Sequence, residues 1–186
     1  MVNENSHTTH IATRYEQANG APNFRRWLKH CCYLKSSHKM FARQQQEQLA
    51  NLIEQAEQGH RGEIQLIIEA SLPSHIAWRY GTRQRAEQLF AQYGVWDTEE
   101  NSGVLIYLNL CEKTVELVAD RGIHRALADE TWQSICQEML LYFQQGQFFQ
   151  GLSIAIEKIG AALGAYYAQY PNKPDNNELS NMPHLL

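Results

Sequence analysis

What this chain lacks narrows its chemistry before any motif is read. No run of 18 apolar residues occurs, so no helix able to cross a bilayer is encoded. The opening stretch, residues 1–10, is polar and has no apolar segment of the kind a secretory signal needs, so a cytoplasmic location is expected. Only four cysteines are present. Cys31 and Cys32 adjoin, Cys111 ends a predicted strand, Cys136 falls on a predicted helix, and no Cys-x-x-Cys occurs. Neither a zinc knuckle nor a thioredoxin-type pair is therefore suggested, and reduced thiols are expected. A cysteine phosphatase needs an arginine at the sixth position beyond its nucleophile, where this chain has Ser37, His38, Leu117 and Tyr142. A Walker loop, a G-x-G-x-x-G and a Ser/His/Asp arrangement are missing too, so nucleotide hydrolysis and dinucleotide binding have no support.

What is present is a chain of 186 residues, long enough for one domain and a real core. Its net charge of −4 is unevenly spread. Residues 1–61 hold eight Lys/Arg against five Asp/Glu, and the remainder eight against fifteen. An acidic main body argues against nucleic acid as the principal ligand, because phosphate binding needs clustered cations. The basic leader could reach anionic lipid or RNA, or be a solvated arm.

Periodicity divides the chain into a leader (1–37), a folded body (38–170) and a mobile tail (171–186). Phe24, Trp27, Leu28, Cys31 and Leu34 share one face of a short predicted helix in the leader. Phe41, Leu49, Leu52, Ile53 and Ala56 predict a second helix, ended by Gly59. Residues 63–70 read as a strand, 75–93 as an amphipathic helix, and 103–110 with 114–119 as a hairpin. Trp132, Ile135, Cys136, Met139 and Phe143 mark one later helix, and Leu152, Ile156, Ile159 and Leu163 another. The order αβαββαα predicts an α/β sandwich, a small mixed sheet with helices on both faces.

The most informative stretch is Asn101 to Asp129, N-S-G-V-L-I-Y-L-N-L-C-E-K-T-V-E-L-V-A-D-R-G-I-H-R-A-L-A-D. A strand that stops at Asp120-Arg121-Gly122 delivers charged groups to one rim of a sheet, where open α/β folds bind ligands. The N-G-V-L-I-Y-like strand, the hairpin, the D-R-G-I-H corner and the later G-x-F-x-x-G resemble the TPM domain. The likeness runs from about Met40 to Tyr170, and Asn177-Glu178-Leu179 is similar to the N-E-L-P element of a small bacterial branch. The resemblance implies a Rossmann-like three-layer sandwich. It also implies an acidic cleft for Ca²⁺ or Mg²⁺, and a LemA-like or TPM-family membrane protein as partner at the inner face of the membrane. Where that branch reads T-x-x-R-N-G, this chain has Asn101 and Ser102 in place of the arginine and asparagine. The loop is more acidic for it, which favours a cation over an anion.

Carried onto this sequence, the cation ligands are Asp97, Asn101, Asp120 and Asp129. Carboxylate, amide and backbone oxygens with water are what hard cations want. Glu99, Glu100, Arg121 and His124 would rim the cleft. Plainer roles compete for the same residues: Asp97-Thr98 suits a turn, Asp129 suits a helix start, and Asp120 could pair with Arg121 or Arg125. Arg79, Arg83 and Arg85, interleaved with Trp78 and Tyr80, could stack bases; the plainer reading is that Arg79 and Arg83, one turn apart, lie on a solvated face with Glu87 four residues beyond Arg83. The expected function is a non-enzymatic interaction module whose cleft takes a divalent cation or a basic partner segment. The alternative is a metal-dependent phosphomonoesterase with the same acidic residues holding the ion.

Overall fold

The computed structural model describes residues 9–12, 22–168 and 177–186, the side chains of 9–12, 124–126 and 129 excepted. Strands β1 (Thr9–Ala12), β2 (Glu63–Glu69), β3 (Gly103–Asn109), β4 (Thr114–Ala119) and β5 (His184–Leu185) form one sheet in the order β1-β4-β3-β2-β5. β2 is parallel to β3 and to β5, whereas β4 is antiparallel to β3 and to β1. Every residue of β2 and β3 is buried, the pattern of central strands covered on both faces.

Alternation sends Ile64, Leu66, Ile68, Val104, Ile106, Leu108, Val115 and Leu117 to one face. There they join Leu49 and Ile53 of α3 (Arg43–Glu57), Trp132 and Met139 of α7 (Asp129–Gln144), and Leu152 and Ile159 of α8 (Phe148–Tyr167). The other face gives Ile67, Leu105, Tyr107 and Val118 to Ala86, Leu89 and Phe90 of α5 (Thr82–Gln92). The result is an α/β sandwich with a mixed sheet, as the order of elements predicted. The Gly and Ala positions of α8 serve close packing within the fold. A Cβ on Gly160 would stand 2.6 Å from the Cβ of Ala56, so the glycine lets α8 settle against α3.

Four features differ from the sequence expectation. The helix expected over 75–93 is two, α4 (Ser74–Arg79) and α5, because Tyr80 and Gly81 are extended and the Gly81 N–H turns to Gln84 Oε1 at 3.0 Å. Within the segment read as a leader, β1 pairs with β4, and α1 (Phe24–Cys31) packs on α4. A short helix, α2 (Ser37–Met40), precedes α3, and α6 (Arg121–Ala126) follows β4. Residues 177–186, expected to be mobile, lie along the edge of β2: the Leu186 N–H donates to the Ile68 carbonyl, and Ala70 donates back to Leu186, both at 2.9 Å. Edge strands this short are held by pairing rather than by their own pattern, which is why composition missed them.

Candidate functional site

The hairpin brings the end of β4 back to the start of β3, so Asp120 and the acidic loop before Gly103 meet. The Asp120 N–H donates to the Gly103 carbonyl at 2.9 Å, and the Gly122 N–H to the Asn101 carbonyl at 3.1 Å. The approach is close enough to require glycine at 122, since a Cβ there would lie 2.5 Å from the Asn101 oxygen and 2.8 Å from that of Glu100. Because β4 is antiparallel, this rim is the amino-terminal end of β2 and β3. It is not the carboxyl end where parallel sheets usually bind ligands, on which the sequence argument leaned.

Asp120 caps α6, its Oδ1 accepting the Arg121 N–H at 2.6 Å. The residue is only 6% exposed, and its Oδ2 is buried without a hydrogen-bond partner. Desolvation raises its pKa, partly offset by the Arg121 amide and guanidinium. An uncompensated buried carboxylate oxygen is unusual, because leaving it unpaired is costly.

The acidic loop is held from three sides. Thr98 Oγ1 accepts the Ser102 N–H at 2.8 Å, and Asn101 takes a left-handed φ of 53° to close the turn. Arg61 pairs with Glu100 at 3.1 Å and lies over the Tyr167 ring, 5.9 Å from its centre. Sequence reading missed this residue: the cation lost at position 101 is met by one arriving from the α3–β2 connection. The third hold is the segment after α8. Glu178 Oε2 accepts the Glu99 N–H at 2.9 Å, while the buried Glu63 carboxylate accepts the N–H groups of Glu178 and Leu179 at 3.3 and 3.2 Å. The Asn177-Glu178-Leu179 element thus straps the acidic loop to the start of β2.

Of the predicted cation ligands, Asn101 and Asp120 come together through backbone contacts, Asn101 with its side chain exposed. Asp97 is exposed in a turn, its N–H on the Gly94 carbonyl at 2.9 Å, and among the described residues nothing ties its carboxylate to Asp120. Asp129 opens α7 and His124 falls in α6, but their side chains lie outside the described residues. Arg121 and Glu99 are exposed, and Glu100 is half-buried on Arg61. Among the described residues no three His, Cys, Asp or Glu side chains gather at metal-binding spacing.

The opposite rim is filled by the protein itself. His30 Nδ1 accepts the Leu72 N–H at 3.0 Å, which fixes the ring proton on Nε2, 2.9 Å from Glu112 Oε1. That hydrogen bond, with the one from Lys29, holds the Glu112 carboxyl down at about 2 against its own desolvation. Tyr107 donates to Glu69 at 2.6 Å, Asn109 to Tyr107 at 3.0 Å, and Arg85 grips Glu69 at 2.7 Å. Of Arg79 and Arg83, both expected on the solvated face, Arg79 is exposed, whereas Arg83 pairs with Glu87 at 3.0 Å, as its spacing suggested, and also reaches the Leu117 carbonyl of the sheet at 3.2 Å. Beside Arg83, Glu116 accepts from Thr82 at 2.6 Å with its other oxygen unpartnered, and burial pushes its pKa up to about 7. Burial also pushes the Cys111 and Cys136 thiols up, to about 11 and 12, so neither is a thiolate nucleophile at neutral pH.

Comparison with known proteins places this geometry. Residues 35–162 match the TPM domain family. The NMR structure of the BA42 protein from the psychrophilic bacterium Bizionia argentinensis is similar at 31% identity, with 76% of this chain and 92% of that one covered and a TM-score of 0.66. No curated protein is matched. With the family match spanning α2 through most of α8, and with it the acidic loop and the Asp120 corner, the chain belongs to the TPM domain family.

Proposed function

We propose that this protein is a binding module rather than an enzyme, and that its amino-terminal rim seats a divalent cation, Ca²⁺ or Mg²⁺, on Asp120. One observation carries the reading: a carboxylate oxygen buried and without a partner, beside a loop of acidic residues. The donor set fits in part. Asp120 Oδ2 and the Asn101 amide are oxygen donors on this rim, and Asp97 lies on the loop that leads into it. Without a gathered carboxylate cage, the ion keeps much of its water, and affinity falls at the weak end, a dissociation constant of about 10⁻⁴ to 10⁻³ M. A cation would neutralise the charge whose desolvation raises the Asp120 pKa. Arg121 orients the carboxyl through its N–H, and the Glu178 strap keeps the loop in place. A basic segment of a membrane-associated partner, LemA-like or another TPM protein, would recognise the same rim through the same charge.

The test pairs stability with turnover. Ca²⁺ or Mg²⁺ at millimolar concentration raises Tm in the native protein and not in Asp120→Asn, which keeps the cap oxygen and removes the charge. Hydrolysis of a generic phosphomonoester with metal, lost in Asp120→Ala, would instead make the protein a phosphatase.

A further inference from the structure

The face built by α1 and α4 differs in charge from the rest of the chain. No Asp or Glu occurs between Glu16 and Glu47, nor between Glu69 and Glu87, and these two stretches supply the two helices. They are pinned together by the Asn23 N–H on the Trp78 carbonyl at 2.8 Å and by Arg26 Nε on the Ala77 carbonyl at 2.9 Å. Glu112 does reach this region, but it is taken up by Lys29 and His30. Arg25, Lys35, Lys39 and Arg79 are exposed and have no carboxylate partner among the described residues.

The same face carries apolar side chains that the fold does not bury. Phe24 and Leu28, one helical turn apart on α1, are 59% and 45% exposed, Leu34 just beyond the helix is 94% exposed, and Tyr80 is 43% exposed. A cleft of about 450 Å³ between α1 and α4 is lined by Trp27, Ser74, His75, Trp78, Arg79 and Tyr80. Isolated apolar side chains on a surface are ordinary; several of them on neighbouring segments whose exposed cations lack a carboxylate partner among the described residues are not.

We propose that this face docks on an anionic lipid bilayer. Phe24, Leu28 and Leu34 enter the acyl boundary, the tryptophans and Tyr80 sit at headgroup level, and Arg25, Lys35, Lys39 and Arg79 lie among the phosphates. Charge complementarity selects an anionic surface. The apolar side chains select a bilayer over a nucleic acid, for which Leu28 and Leu34 have no use. The tryptophan pair also meets edge to face, at 87°, rather than offering two open stacking faces. Phe24, Leu28 and Leu34 are exposed and do not line the cleft, which suits a soft interface better than a folded protein partner. One short helix with a few cations gives modest, reversible binding. The inference is independent of the acidic rim.

The full chain is sedimented with vesicles of phosphatidylcholine alone and of phosphatidylcholine mixed with phosphatidylglycerol. Binding is expected to the mixed vesicles only, with a blue shift of tryptophan fluorescence, and to weaken as salt is raised. Leu28→Ser with Leu34→Ser, both at exposed positions, lowers affinity by about tenfold or more. Arg25→Gln with Arg79→Gln abolishes the preference for the anionic lipid. No binding to mixed vesicles, equal binding to neutral ones, indifference to the leucine pair, or tighter binding of a single-stranded oligonucleotide would overturn the proposal.

Discussion

Replacing Glu116 by glutamine should stabilise this protein at neutral and alkaline pH. Glu116 stands on β4 beneath α5, 3% exposed, with Thr82 donating to one oxygen and nothing donating to the other. Its pKa rises from 4.5 to about 7, chiefly through desolvation, with Thr82 and Arg83 pulling the other way. Between those values the folded protein holds a proton that the unfolded chain has released. Stability therefore falls as pH rises through the window and is level above it. A rise from 4.5 to about 7 corresponds to about 3 kcal/mol at most. Glutamine keeps an oxygen for Thr82 and carries no charge, so the variant lacks this loss. Denaturant unfolding of both proteins from pH 4 to 8.5 isolates the effect, because every other titrating group cancels in the difference. The stability difference, variant minus native, is predicted to grow by about 2–3 kcal/mol across the window. A difference that stays flat, or a variant weaker than the native protein at pH 8, would refute the claim that Glu116 is an uncompensated buried acid.

Two other substitutions test the packing and the opposite rim. Gly160→Val pushes a branched side chain into Ala56, where even a Cβ would stand 2.6 Å away, and should lower stability by about 1–3 kcal/mol or more in thermal unfolding. Glu112→Gln removes the acceptor charge that Lys29 and His30 share and should cost about 1–2 kcal/mol at pH 7. The Glu112 carboxyl is depressed to about 2, so its contribution is present above pH 4.5 and lost as pH falls towards 2. In the variant that part of the acid limb flattens, which urea titrations at low pH would detect.

The helices of the large apolar face were legible because their patterns are long: Trp132, Ile135, Met139 and Phe143 repeat at helical spacing and are all buried. The hairpin was legible from two strands and a polar turn, and with it the meeting of the acidic loop and the Asp120 corner. Which rim of the sheet this is was not, since that depends on β2 lying parallel to β3 across a long connection. Nor could spacing reveal Arg61 on Glu100 or Glu178 on Glu99, contacts made between distant segments. Nor could it reveal Arg85 on Glu69, because local pattern does not see a carboxylate buried on another element. The tail's composition suggested mobility, yet Glu63 and Gln65 satisfy its backbone and Leu179 joins the core beside α5.

The most direct measurement is a Ca²⁺ and Mg²⁺ titration followed by backbone amide NMR, on the native protein and on Asp120→Asn. Saturable shifts confined to residues 97–103 and 120–129, absent in the variant, are predicted. Amides that stay still at millimolar ion, or shifts that persist unchanged in Asp120→Asn, would contradict the assignment of a cation to this rim.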